Sequence, residues 1–162
     1  MPNPSRRPGS RRGPWYGKFQ EKLSFERGAR AVYPDLRTSI ARMGGYWAEL
    51  EVDLTGYGSR HLRISFDRDH VTGPMVTVDG PTDSPHRYAD GSLCMWYPPD
   101  PDDKRWIVSD GLLPLIGYAA LHLFREEWWR ETGHWLGNEA PHRVPAPKPL
   151  HKEGDHDADR NG

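Results

Sequence analysis

Between residues 48 and 54 the chain alternates: Ala48, Leu50, Val52 and Leu54 are apolar, while Glu49, Glu51 and Asp53 are charged. A period of two marks a strand with one face buried. The pattern returns in "HLRISFD" with Leu62, Ile64 and Phe66, and "PMVTVDG" reads as a third short strand. The connections "TGYGSR" and "DRDHVTG" carry the Gly and Asp residues of hairpin turns. Three consecutive strands joined so closely predict an antiparallel meander.

On either side the period lengthens. From Trp15 to about Tyr33, the positions Phe19, Leu23, Ala29 and Val32 suggest an amphipathic helix. Pro34 ends it, because the ring disfavours helix in the residue before it. A stronger helix is predicted from Ser109 to about Glu131, where Leu112, Ile116, Ala119 and Leu123, flanked by Leu113, Ala120 and Phe124, recur at helical spacing. Ser109 and Asp110 are its expected caps, Pro114 is tolerated in its first turn, and Gly133 marks its end. Between the strands and this helix, "YPPDPDDKRW" is too rich in Pro and Asp for regular structure and is expected to be an exposed loop. The segment "GHWLGNEAPH" is expected to be irregular and held by Trp135 and Leu136. Residues 1–14, rich in Pro and with arginines at 6, 7, 11 and 12, and residues 144–162 read as disordered tails around one domain over 15–143. Segregated strands and helices make this an α+β domain with helices on one face of the sheet.

Charge narrows the function little. The chain of 162 residues carries 22 Lys and Arg against 23 Asp and Glu, so no global field favours nucleic acid or an anionic membrane. No apolar run approaches the roughly 18 residues of a membrane helix, and "MPNPSRRPGSRRGP" lacks the apolar middle of a secretory signal. A cytoplasmic protein is expected. A single cysteine excludes an internal disulfide and leaves Cys94 as a buried hydrophobe, a stray thiol or a nucleophile.

Cys94 lies in "SPHRYADGSLCMW", just after the turn signal "DGS" and before the Pro-rich loop. Junctions of this kind suit reactive groups, because a sheet fixes the residue while a loop leaves it accessible. A thiol with the ordinary pKa of roughly 8.5 is only a few per cent thiolate at neutral pH, yet it is the best side-chain nucleophile for acyl groups. The alternative is a small apolar filler between Leu93 and Met95. Structural zinc sites use four ligands, and the chain has no Cys-x₂-Cys or His-x₃-His pair. His86, Cys94, His134 and His142 are too scattered to argue for one, and no Gly-rich phosphate loop is present. No metal or cofactor is expected.

The stretch "HRYADGSLC", a Trp and a long helix after it, and the segment "TGHW-G-EAPH" resemble the ubiquitin-conjugating enzymes, and more closely their bacterial relatives. The resemblance covers roughly residues 15–143. In that family a His-Pro-Asn tripeptide precedes the cysteine, with Asn eight positions before it, Gly three before and an aliphatic residue immediately before. Here Ser84-Pro85-His86, Gly91 and Leu93 stand at those places, so the Pro, the Gly and the aliphatic residue match while His86 replaces the Asn.

The resemblance implies a ubiquitin-conjugating-like fold and a conjugating enzyme. Cys94 would take the C-terminal carboxyl of a partner protein as a thioester and pass it to an amine. His86 would donate to the oxyanion in place of the Asn, accept the amine's proton with an ordinary pKa of roughly 6.5, or brace the loop. Tyr88 is expected to pack, Asp90 to shape the turn, Trp106 to support the active-site loop, and Trp128, Trp129 and Trp135 to anchor core and segment. The implied partners are a ubiquitin-like protein or a cGAS/DncV-like nucleotidyltransferase; activation would come from another protein, or the cysteine would attack an existing bond directly, as a protease does. Their setting is anti-phage defence operons such as cyclic-oligonucleotide-based signalling systems (CBASS). The alternative is a catalytically inactive binding module that kept the fold; the absent Asn favours it and the retained cysteine opposes it.

Overall fold

The computed structural model describes residues 13–137. In chain order the elements are α1 (Phe19–Val32), β1 (Arg37–Ile40), β2 (Tyr46–Leu54), β3 (Gly58–Phe66), β4 (Met75–Val78) and α2 (Leu112–Thr132), with short 3₁₀ turns at Trp15–Gly17 and Val108–Asp110. The four strands form one antiparallel sheet in the order β1-β2-β3-β4. The expected meander is therefore present, with one strand added at its edge.

Alternation works in the sheet as the sequence predicts. Tyr46, Ala48, Leu50, Val52 and Leu54 of β2 point to the buried face, as do Leu62, Ile64 and Phe66 of β3 and Val76 of β4. On the opposite face Glu49 pairs with Arg63 directly across the strands, and the Arg63 guanidinium lies 5.2 Å from the Trp47 ring centroid. The β1–β2 connection needs glycine at position 45, where φ is 100° and a Cβ would sit 3.0 Å from the Phe66 carbonyl oxygen.

Both helices cover the buried face. Leu112, Leu115, Ile116, Ala119 and Leu123 of α2 are fully enclosed, and Phe25 and Ala29 of α1 join them. Phe25 and Trp106 meet Tyr46 and Phe66 in an aromatic cluster with ring centroids 5.7 to 6.2 Å apart.

Of the apolar positions expected along α1, Ala29 is buried and the other three are not. Phe19 is 74 % exposed, Leu23 44 % and Val32 56 %, whereas Glu26 is enclosed at 2 %. Glu26 is tolerated there because Tyr46 Oη donates to Oε1 at 3.0 Å, Lys22 Nζ lies 2.8 Å from Oε1, and Arg30 Nε donates to Oε2 at 2.8 Å. Burial pushes this carboxyl up, but the Lys22 and Arg30 hydrogen bonds outweigh it and lower it below the usual range. Phe19→Gln is accordingly expected to change unfolding free energy by no more than about 0.5 kcal/mol in a denaturant titration.

The start of α2 also differs from expectation. Ser109 and Asp110 form the 3₁₀ turn before the helix, Asp110 Oδ2 accepts from Ile107 N at 3.0 Å, and Gly111 at φ 84° is the N-cap. Pro114 falls in the first turn and left-handed Gly133 closes the helix, as expected. Trp106 is 1 % exposed and donates Nε1–H to Gly111 O at 2.8 Å, which makes it a strut under the loop. Trp128 and Trp129 are half-buried and do not belong to the core. Among the described residues no helix is long and apolar enough to cross a membrane. Of the expected tails, residues 1–12 and 144–162 lie outside the described residues, as do residues 138–143 at the expected end of the domain.

Candidate active site

Between β4 and α2 the chain folds into a small hairpin that carries the cysteine. Arg87 and Leu93 pair as an antiparallel bridge, Tyr88 N donates to Ser92 O at 2.9 Å, and Gly91 N returns to Tyr88 O at 2.9 Å. Gly91 takes the turn at φ 83°. Asp90 shapes it as expected, accepting from Ser92 N at 2.9 Å and Ser92 Oγ at 2.6 Å, and these bonds lower its carboxyl. One leg is fixed to the sheet, because Leu93 N donates to Val76 O at 2.8 Å.

Cys94 follows on that leg, its N–H donating to His86 O at 3.0 Å. Leu93 is 4 % exposed and part of the core, while Cys94 is only half-buried. The filler role thus falls to Leu93. Tyr88, expected to pack, is 47 % exposed instead, and its phenol interacts electrostatically with the Cys94 thiol. Burial, then that interaction, push the phenol up to about 12, so it keeps its proton at neutral pH.

His86 is enclosed at 6 % exposure. Its ring lies 4.1 Å, centroid to centroid, from Trp135 and 6.5 Å from His122, and its backbone N–H donates to Ser84 Oγ at 3.2 Å. Trp135, on the segment after α2, thereby anchors that segment to the cysteine hairpin. Trp96, two residues past the thiol, stacks 6.4 Å from Trp106 and lies 5.7 Å from Tyr118 of α2. The Pro-rich loop leaves from there, mostly exposed as expected.

Beneath the hairpin lies an ionic network. Arg87 holds Glu126 through two bonds of 2.7 Å, Nε to Oε1 and Nη2 to Oε2, while Nη1 donates to Gly91 O at 2.9 Å. Both side chains are enclosed, at 3 % and 1 % exposure. His122 Nε2 lies 3.4 Å from Glu126 Oε1, and Arg130 Nη2 lies 3.5 Å from Oε2. Arg130 also donates to Asp83 Oδ1 at 3.0 Å and Pro81 O at 3.2 Å, tying the approach to the hairpin onto α2.

Burial pushes the Glu126 carboxyl up, but the Arg87 hydrogen bonds and the neighbouring His122 imidazole outweigh it and hold it at about 2, below the ordinary 4.5. A carboxylate lowered in the folded state stabilises the fold above its unfolded pKa, and that contribution disappears as pH falls toward the folded value. Unfolding free energy is expected to drop by on the order of 3 kcal/mol from this group between about pH 4.5 and 2. Denaturant titrations at stepped pH check this, with Glu126→Gln showing the shallower acid slope.

Cysteine, turn and Trp106 were accessible to sequence reasoning; Arg87, His122, Glu126 and the Tyr88 contact were not. A signal existed for two of them, since His122 and Glu126 continue the buried stripe of α2, three and seven residues after Ala119. Among the described residues no three His, Cys, Asp or Glu side chains are grouped to hold a metal ion. His134 sits at the exposed end of α2, its Nδ1 2.9 Å from Thr132 O, and His142 lies outside the described residues. A half-buried cysteine on a hairpin clamped from two sides is suited to nucleophilic acyl capture.

A family model described as Type II CBASS E2 protein matches residues 27–143, which span the sheet, the hairpin and α2. No curated protein matches the chain.

Proposed function

The chain belongs to the type II CBASS E2 family, whose role is E2-like conjugation in anti-phage defence, and we propose from this that Cys94 is the nucleophile that carries a partner protein's C-terminus as a thioester. The observation that supports it most is the placement of Cys94: half-buried, at the end of a hairpin bolted to the sheet through Leu93. The sulfur attacks an activated C-terminal carbonyl, the activating group leaves, and an amine then displaces the thiolate to form an amide. Because the thioester keeps the carboxyl activated, transfer needs positioning and a donor to the oxyanion.

In this reading His86, at the family's Asn position, is the second site residue. Its enclosure beneath Trp135 and its carbonyl bond to Cys94 N support the loop-bracing role. Tyr88 supplies a protonated phenol that interacts with the Cys94 thiol. The carried protein is a ubiquitin-like protein or a cGAS/DncV-like nucleotidyltransferase, activated by another protein or attacked directly by Cys94 at an existing bond, in the cytoplasm.

The test is to incubate the protein with the activating and C-terminal partner proteins encoded beside it and to run a non-reducing gel. The expected result is a band that a thiol reagent removes. His86→Asn, which restores the family's residue, is expected to keep it. Partner binding with no reagent-sensitive band would assign the chain to non-catalytic binding instead.

A further inference from the structure

The cysteine hairpin is held by a pair of charges that stability alone does not require. Arg87 and Glu126 are both enclosed, and moving two ions out of water costs free energy that good geometry only returns; well-packed apolar residues of the same volume do as well or better. What apolar residues cannot do is fix three points at once. The Arg87 guanidinium binds both oxygens of Glu126 on α2 and the carbonyl of Gly91 at the turn, while its backbone pairs with Leu93, the residue before the cysteine. One side chain thus ties together the turn, the leg that carries Tyr88, and the helix beneath. A planar fork with fixed donor directions suits this role, and an ammonium does not match it.

We propose that Arg87 and Glu126 are positioning residues for the transfer reaction, setting through the hairpin where Cys94 and Tyr88 stand relative to each other; this rests on the conjugating role of Cys94. Neither touches the thiol. Their effect passes through the 86–94 backbone, whose one leg is fixed to β4 at Val76 and whose other leg depends on the ion pair. Arg130, one turn further along α2, holds the approach to the hairpin through Asp83 and Pro81, so the same helix sets the segment at two places.

The test separates position from stability. In the full chain, Arg87→Met/Glu126→Leu replaces the pair with apolar volume, and Arg87→Lys keeps a charge pair but loses the fork. Three quantities are compared with wild type: the thermal midpoint, the rate at which iodoacetamide modifies Cys94, the chain's one thiol, and the rate at which a preformed thioester discharges to free lysine. Expected are an unchanged or raised midpoint for the double variant, an alkylation rate altered at least 5-fold, and discharge slowed at least 10-fold. Arg87→Lys is expected to shift both rates in the same direction, so the test survives a double variant that fails to fold. A folded variant with wild-type alkylation, or with wild-type discharge, overturns the proposal while leaving the conjugating role of Cys94 standing. If wild type forms no thioester but the alkylation contrast holds, the conjugating role fails and the control of Cys94 by the ion pair stands.

Discussion

Cys94→Ala is expected to reduce covalent capture of the partner's carboxyl end to background while leaving the domain folded. A half-exposed sulfur outside the core contributes little packing, so unfolding free energy is expected to stay within about 1 kcal/mol of wild type. The chemistry depends on sulfur in a specific way. A hydroxyl at the same place is a weaker nucleophile but makes an oxyester, which amines and thiols attack far more slowly than a thioester. Cys94→Ser is therefore expected to give a slowly formed adduct that withstands thiol reagent and yields to alkali. The pair of variants separates covalent chemistry from docking, since both keep the surface on which the partner rests. An alanine variant that still forms a reagent-sensitive adduct would place the linkage elsewhere.

The second large effect is on stability. Arg87→Ala and Glu126→Ala are each expected to lose about 3–5 kcal/mol, because each leaves an enclosed partner charge without its two-bond counterion. Domains of this size hold only about 5–15 kcal/mol in total, so either loss is a large share of the fold's stability. The exposed pair Lys18–Glu21 provides the contrast: at nearly half exposure for each side chain, its removal is expected to cost under about 1 kcal/mol. Denaturant titrations at neutral pH measure all three. A loss below about 1 kcal/mol at Arg87 would show that water reaches the pair.

Strands and the long helix were legible because a single physical fact, one face buried, imprints a period on the sequence. Leu50, Val52, Leu62 and Ile64 alternate for that reason, and Leu112, Ile116, Ala119 and Leu123 recur at helical spacing for the same one. The edge strand β1 escaped notice. Its four residues, Arg-Thr-Ser-Ile, are exposed or half-buried, and backbone pairing with β2 holds them. The face of α1 and the network under the cysteine hairpin were missed for a shared cause. In both, a glutamate occupies an inward position that pattern reading assigns to solvent. Each is made tolerable by a partner distant in sequence: Tyr46 is 20 residues from Glu26, and Arg87 is 39 residues from Glu126. A one-dimensional pattern records polarity and not the partner that offsets it. Cys94 stood out by being single and by following a turn, whereas the meeting of Tyr88 with it depends on how the 86–94 hairpin pairs.

The most direct measurement is mass spectrometry of the adduct formed when the protein, its activating enzyme and the C-terminal partner are mixed and digested without reducing agent. A peptide in which the partner's last residue is joined to Cys94, lost on treatment with hydroxylamine at neutral pH, is expected. A linkage found on lysine alone, or Cys94 recovered as the free thiol from every molecule, would contradict the role of Cys94 as nucleophile.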